Sequence, residues 1–574
     1  MIDHLIEAAD THAHLFRITL KLPRPAAQQR VSLPVWIPGS YLVREFSRHL
    51  SRLQARQGTR ACRIEQHDKC TWTVYSEGAA TLQLVYEVYA YDLSVRTAFL
   101  DEGRGFFNGS SVFLRVDGRH AEPQRLRIAA LPPGWQVATA MPTTRRRHEY
   151  LCADYDELVD HPVELGRFWR GEFKARGVRH ELVVAGAWPS FDGERLLADA
   201  RRICDTQIGF WHGRGKAPMS RYLFLLNAVD EGYGGLEHRC STALISARRH
   251  LPRKGVAEAS DGYVTLLGLI SHEYFHAWNV KRLKPRDFES LDYGRENYTR
   301  LLWFFEGFTS YYDDLLLLRA GLVDAPRYLR LLGKTLNGVL ATPGRKLQSV
   351  AQASFDAWVK YYRGDENTPN ATISYYTKGS LVALALDLSL RGAGRGSLDE
   401  VMRTLWSRSA GGAIDEDDIA HALQQVAGRS MQAELAAWVH GTDDLPLPPL
   451  LARAGVLQQA EATDLAGELG LRVSEGALSG IHVKTVHRGS AAERAGVSAG
   501  DELLAVDGWR VRRLDDARAW AVAGQAFELT VVRDQRLRVL RVQPDVPAPA
   551  AARLKLADKP TPAVQALRRE WLGV

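Results

Sequence analysis

The sequence predicts a multidomain α+β protein, and three observations predict it. Residues 1–175 carry short runs that alternate apolar with polar side chains, residues 300–450 carry helix-length periodic runs, and short alternating runs return after the Pro-rich PLPPL at 446–450. A chain of 574 residues supports about four domains at roughly 150 residues each. Hydrophobic residues make up 45% and charged residues 25%, an ordinary globular balance that excludes a mostly disordered chain.

In the first domain, residues 1–175, HLFRITLKL (14–22), CTWTVY (70–75), TLQLVYEVYAY (81–91) and SVFLRV (111–116) alternate between Gly, Pro and Asp punctuation. That pattern predicts antiparallel strands with one face buried, a β-sandwich-like domain. Residues 176–325 change texture. A strand HELVVAGAW (180–188) precedes a helix over 193–211, then a strand RYLFLLNAV (221–229), the turn-rich DEGYGGLEHRCST (230–242), the short strand ALISA and a helix VTLLGLISHEYFHAW (264–278). Residues 326–450 read as consecutive helices, the last opened by an acidic DEDD that suits the positive end of its dipole. PLPPL reads as a linker, so residues 460–545, short strands around one helix-forming segment, are expected to be a separable domain. The Pro/Ala-rich tail over 546–574 is expected to be poorly ordered in part.

Net charge is +7, a weak excess for this length. The one basic cluster, TRRRH at 144–148, reads as a solvated loop, so no nucleic-acid partner is expected. Five cysteines, at 62, 70, 152, 204 and 240, are odd in number and form no CxxC pair, the pattern of free thiols in a reducing compartment. The N-terminus has charges and histidines where an export signal needs an apolar core, and no stretch approaches 18 apolar residues. A cytoplasmic protein without a membrane span is expected, with the periplasm as the alternative if a leader was removed. Oligomeric state is not legible.

His272-Glu273-Tyr274-Phe275-His276 is an HExxH motif on a helix pattern whose buried face is Leu266, Leu267, Leu269 and Ile270. Histidines four residues apart lie about 40° apart around the axis, one turn above the other, so both can reach one ion at about 2.0–2.1 Å. Glu273 follows the first ligand and is placed to take a proton from a metal-bound water. Zinc suits such a site, and one Zn2+ per chain is expected. The bland alternative is a helix with two surface histidines and a glutamate. Candidates for a third ligand are Asp287, Glu289, Asp292, Glu296 and Glu306. The first three lie in a Pro/Gly-punctuated loop. Glu306 lies among Trp303, Phe304, Phe305 and Phe308, where an unpaired carboxylate is costly and a metal is a suitable partner. Glu306 is therefore preferred over a structural ion pair to Arg300 or Arg319, which gives the gluzincin His-His-Glu set.

HEYFHAWNVKRLKP followed by LLWFFEGFTSYYD closely resembles the glycyl aminopeptidase family, PDZ-containing gluzincin metallopeptidases related in their catalytic unit to thermolysin and aminopeptidase N. LPVWIPGSYLVREFSRHL (33–50), GYGGLEHRCST (232–242) and SYYTKGSLVALALDLSLR (374–391) extend the resemblance from about residue 10 to about 545. It implies a thermolysin-like catalytic domain over 176–325. The 29 residues between His276 and Glu306 exceed the spacing in thermolysin and aminopeptidase N, and the resemblance implies an inserted loop at 281–299. It also implies that Tyr376 donates to the oxyanion, with Tyr375 as second choice, and that Glu237 holds the substrate's α-ammonium. Gly232, Gly234 and Gly235 would let an extended peptide approach the backbone there. The plain alternatives are core aromatics at a helix start and a glycine-rich hairpin with an exposed glutamate. RGSAAERAGVSAGDELLAVDG resembles a PDZ domain, which implies a possible peptide ligand added beside a sheet. Glu468-Leu469-Gly470-Leu471 lacks the full Gly-Leu-Gly of a carboxylate-binding loop and leaves that ligand open.

The resemblance implies a zinc aminopeptidase acting on peptides with small N-terminal residues, Gly or Ala. The alternatives are a zinc endopeptidase whose PDZ domain presents the chain, and a catalytically silent peptide-binding scaffold. An amine anchor at Glu237 discriminates against the first, and an intact HExxH with Glu306 and Tyr376 against the second.

Overall fold

The alternating runs of the N-terminal region form three sheets in the computed structural model, which describes residues 1–476, 478–546 and 550–573. The largest is seven-stranded, in the order Glu149–Cys152, Gln124–Ala129, Ile2–Asp10, Leu15–Leu22, Leu82–Tyr89, Leu50–Gln57, Arg60–Ala61. Its inward residues, among them Ile6, Phe16, Ile18, Leu20, Leu84 and Tyr86, join one apolar core with Phe107, Phe113 and Leu158. SVFLRV is not the strand its alternation predicts. Gly109–Val112 forms a helical turn and only Arg115–Val116 pairs; Gly109 packs where a Cβ would meet the Val159 backbone.

The strands from Trp169 onward form a separate five-stranded sheet. Its members are β1 (Trp169–Ala175), β2 (Val178–Ala185), β3 (Arg221–Val229), β4 (Tyr233–Glu237) and β5 (Ser241–Ala247), in the order β1-β2-β3-β5-β4. β2, β3 and β5 are parallel, while β1 and β4 pair antiparallel at the edges. The central β3 is buried from Tyr222 to Val229, as an inner parallel strand requires. Helix α1 (Gly193–His212), capped by the Asp192 side chain, makes the crossover from β2 to β3. Helix α2 (Asp261–Phe275) follows β5. The Ser260 hydroxyl accepts from the Tyr263 N–H to start α2, and Asp261 favours its dipole. α2 is buried on most sides from Tyr263 to Phe275, with Thr265 exposed, so it is a core helix that carries the motif in its last turn. Gln207 of α1 donates to the Ser271 carbonyl at 2.8 Å and anchors the motif-bearing end.

By contacts the chain divides into two units, Met1–Tyr298 with Tyr312–Leu322 and Met402–Asp415, and Thr299–Tyr311 with Val323–Val401 and Glu416–Val574. Helix α3 (Gly307–Arg319) has its first turn in the second unit and its remainder in the first, and α4 (Thr377–Gly392) lies wholly in the second. PLPPL is not a free linker. Leu447–Arg453 is a helix with Leu447, Leu450 and Leu451 buried, and its prolines sit in the first turn, where no N–H is needed. The tail is likewise ordered where described. Ala550–Leu556 pairs antiparallel with Val456–Ala462, and α5 (Pro562–Leu572) buries Trp571 and Leu572. Arg568 of α5 donates to the carbonyls of Ala454 and Gly455. The apolar anchors are few, so composition hides them. Residues 477, 547–549 and 574, the last four within the predicted tail, lie outside the described residues.

Between the two paired strands lies a sheet of Leu471–Gly476, Gly480–Val486, Glu502–Val506, Phe527–Arg533 and Arg536–Val542 around Leu469, Ile481, Val483, Leu503, Leu529 and Val531. The segment predicted as a separable domain is thus an insertion at the end of a hairpin. None of the five cysteines is in a disulfide. Among the described residues no helix is long and apolar enough to cross a membrane.

Candidate active site

The last turn of α2 and the residue that closes it bring two imidazoles together. His272 Nε2 and His276 Nε2 are 3.1 Å apart, and the rings meet at 86°. Each Nδ1 is held elsewhere: His276 Nδ1 donates to the Asn279 carbonyl at 2.7 Å, and His272 Nδ1 lies 3.0 Å from Asp313 Oδ2. With the Nδ1 protons so assigned, both Nε2 atoms present lone pairs to one point, where a cation would suit them. Burial pushes the Asp313 carboxyl up, and its hydrogen bond to His272 pulls it back down.

Glu306 sits between the short helix Leu302–Phe305 and α3 and is 2% exposed. Two neutral imidazoles and a carboxylate match the donors and number of a three-ligand zinc site, and the two outer hydrogen bonds are of the kind that orients such ligands. Of the competing acids, Asp287, Glu289 and Asp292 are exposed and Glu296 is half-buried.

Glu273 is 5% exposed and lies against β4. A Cβ at Gly235 would collide with its carboxylate, so glycine is required where the strand passes the motif. The segment expected to be turn-rich is in fact this edge strand, with Gly235 opposite Leu244 and Glu237 opposite Thr242. Gly234 has φ +151°, a conformation other residues adopt with strain. Glu237 is 4% exposed, not a surface loop carboxylate, and lies within 4.8 Å of both Glu273 and His276. Gly39 of the N-terminal region packs on it so tightly that a Cβ there would strike its carboxylate. On that flank a cavity of about 600 Å3 is lined by Trp36, Tyr41, Glu237, His238, Asp160 and Lys281, among others. Burial opposes the charge of Asp160, but Lys281 at 2.6 Å and His238 hold its carboxyl far below the usual range.

Tyr376 immediately precedes α4 and is half-buried, its hydroxyl 3.5 Å from that of Tyr362. Burial and then the Glu306 carboxylate push its phenol well above the ordinary value, which keeps it a neutral donor. Tyr375 is fully buried and stacks on Tyr376 with centroids 4.7 Å apart. Tyr361 titrates upward for the same two reasons as Tyr376. The start of α3 and the start of α4 meet glycine to glycine, for a Cβ on Gly307 would lie 2.6 Å from the Gly379 Cα. That approach brings Glu306 and Tyr376 side by side. Asp313, Tyr361 and Tyr362 carry no motif of their own; Asp313 alone had a signal, an acid in the same aromatic helix as Glu306. Asn279 contributes a backbone oxygen and had none.

Residues 4–167 match the Peptidase M61 N-terminal domain, residues 265–382 the M61 glycyl aminopeptidase, and residues 482–533 a PDZ domain. The crystal structure of an aminopeptidase N family protein from Idiomarina loihiensis is 36% identical, matches over 100% of both chains and superposes with a TM-score of 0.94. Structures of a two-domain M1 zinc metallopeptidase, bound to L-arginine or L-tryptophan, are 16% and 15% identical over 78% of this chain and 95% of theirs, each with a TM-score of 0.47. No curated protein matches this chain.

Proposed function

Because the chain belongs to the M61 glycyl aminopeptidase family and is a peptidase, we propose that it is a zinc aminopeptidase that removes small N-terminal residues, glycine or alanine, from peptides. His272, His276 and Glu306 hold the ion in this reading. Zinc bound there supplies a Lewis acid and brings the pKa of a coordinated water to about 7. Glu273 takes the water proton and delivers it to the leaving amine. Tyr376, a neutral phenol beside Glu306, donates to the carbonyl oxygen as negative charge builds on it. Gly234 and Gly235 keep the β4 backbone clear of side chains for an extended peptide.

The observation that carries the exopeptidase reading is the position of Glu237. Its carboxylate, buried and within 4.8 Å of Glu273 and His276, leaves room for one residue between an ammonium held there and the reacting carbonyl. In this reading a peptide without that ammonium forgoes the ion pair at Glu237 and binds more weakly. Alanyl and glycyl reporters should therefore be cut, and their N-acetylated forms should not. Internal cleavage of N-acetylated peptides at comparable rates would replace this reading with an endopeptidase.

A further inference from the structure

We propose that the inserted PDZ module positions the Tyr376 hydroxyl, and that Asn370 is the residue through which it does so; the proposal rests on Tyr376 as the oxyanion donor. Asn370 lies in the short helix Thr368–Ala371, six residues before Tyr376, and is 7% exposed. Its Nδ2 donates to the Val486 carbonyl at 2.8 Å, and its Oδ1 accepts from the Arg488 N–H at 2.8 Å. Val486 ends the strand Gly480–Val486 of the module. The carboxamide thus serves a carbonyl and an N–H at once, using its donor and its acceptor as a backbone peptide group does. Two such bonds fix the direction of the side chain as well as its distance. Asn370, Tyr376 and the module all belong to the second unit.

What Asn370 tethers is the loop that meets Tyr376. Between Trp358 and Asn370 no residue is buried, so Asn370 is the first buried position after Trp358. Inside that span Tyr362 brings its hydroxyl to 3.5 Å from the Tyr376 hydroxyl, and the Tyr361 ring centroid lies 5.5 Å from that of Tyr376. From Asp365 onward the turn is cross-bonded. The Asp365 N–H donates to Thr368 Oγ1 at 2.7 Å, the Asn367 N–H to Asp365 Oδ1 at 3.0 Å and the Asn370 N–H to the Asn367 carbonyl at 2.8 Å. The loop is therefore stiff from 365 to 370, and the module holds its stiff end.

The backbone before Tyr376 has an anchor of its own, since the Ile373 N–H donates to Gln348 Oε1 at 3.2 Å. What the loop adds is the setting of the phenol. An oxyanion donor acts only when its hydroxyl points to where negative charge develops, and a displacement of about 1 Å can cost about 10²-fold. A loop that is largely exposed from 359 to 367 has few contacts to fix it except at its ends. Releasing the Asn370 end frees Tyr361 and Tyr362 to move, and the Tyr376 hydroxyl with them.

The test measures kcat and KM for alanyl p-nitroanilide, together with zinc content, in the wild type, Asn370→Ala, Tyr376→Phe and the double variant. Asn370→Ala should lower kcat by about ten- to hundred-fold with KM and zinc unchanged. In the Tyr376→Phe background it should cost nothing further, because the hydroxyl it positions is gone. Asn370→Ser, a milder change, makes the same comparison where the alanine variant does not fold. An asparagine that only holds the fold together would lower both backgrounds by the same factor, and that outcome overturns the proposal. Wild-type kcat in Asn370→Ala beside a slow Tyr376→Phe also overturns it, while leaving the aminopeptidase reading intact. A Tyr376→Phe enzyme at the wild-type rate, or a wild type that leaves the p-nitroanilide uncut, removes the underlying reading itself and this proposal with it.

Discussion

The Trp571 indole N–H donates to the Tyr311 hydroxyl at 3.0 Å, a bond between residues 260 positions apart. Tyr311 in turn donates to Asp387 Oδ2 at 2.7 Å, and the other Asp387 oxygen receives Arg391 Nε at 2.9 Å and the Leu398 N–H at 2.8 Å. Arg391 closes the loop by donating to the Glu570 carbonyl at 2.7 Å. Tyr311 lies on α3, five residues beyond Glu306, and Asp387 lies on α4, the helix that Tyr376 precedes. The last helix of the chain therefore buttresses the two helices that present the carboxylate and the phenol.

Trp571→Ala should cost about 3–5 kcal/mol, as expected for emptying a fully buried Trp site. Truncation after residue 546 should do at least as much damage. Excising 463–549 and joining Ala462 to Ala550 with a short Gly-Ser turn should leave a folded peptidase, because those residues are already paired across the hairpin. Thermal unfolding of the three proteins checks this; equal Tm values for truncation and wild type would refute the buttress.

Metal content separates ligands from bystanders. His272→Ala, His276→Ala and Glu306→Ala should each lose zinc on dialysis, while Glu289→Gln and Glu296→Gln should keep it. Asp313→Asn, which weakens the hold on His272 Nδ1, should lower metal affinity by about 10–100-fold in a chelator competition. Retention of full zinc by Glu306→Ala, with loss in Glu289→Gln or Glu296→Gln, would move the third ligand.

Turnover separates the base from the oxyanion donor. Glu273→Gln should keep zinc and lose about 10²–10⁴-fold in kcat. Tyr376→Phe should lose about 10²–10³-fold. Tyr375→Phe should change kcat little, because that phenol is packed in the core. An inactive Tyr375→Phe beside an active Tyr376→Phe would shift the role by one residue.

Acid sensitivity should appear below neutral pH through His180. Its ring is fully buried, stacks on Phe173 at 4.7 Å, and lies 2.8 Å from the Tyr274 hydroxyl of the HExxH helix. Burial lowers its pKa from 6.5 to about 4. Between those values the unfolded chain binds the proton that the folded chain refuses. Stability is therefore intact above pH 6.5 and falls as pH drops towards 4, by about 3 kcal/mol from this group. Urea midpoints at pH 7 and pH 4.5 should show the loss, and His180→Gln should shrink the difference between them.

What the sequence determined by itself is local. The HExxH pair was legible because a helical period places residues four apart on one face, and the 266–270 apolar run showed which face is buried. Glu306 was singled out because a carboxylate inside an aromatic helix is costly without a partner, whether a metal or an arginine. The PDZ and N-terminal β regions were legible from alternation and motif. Tertiary structure decided what depends on pairing between distant segments. Whether GYGGLEH is a turn or the edge strand against Glu273 depends on the partner at 241–247. The Ala550–Leu556 strand, paired with Val456–Ala462, turns a linker and a tail into one hairpin with a domain inserted in it. Local period is written in side-chain order, whereas long-range register is set by which surfaces bury together, and one sequence read alone does not display that.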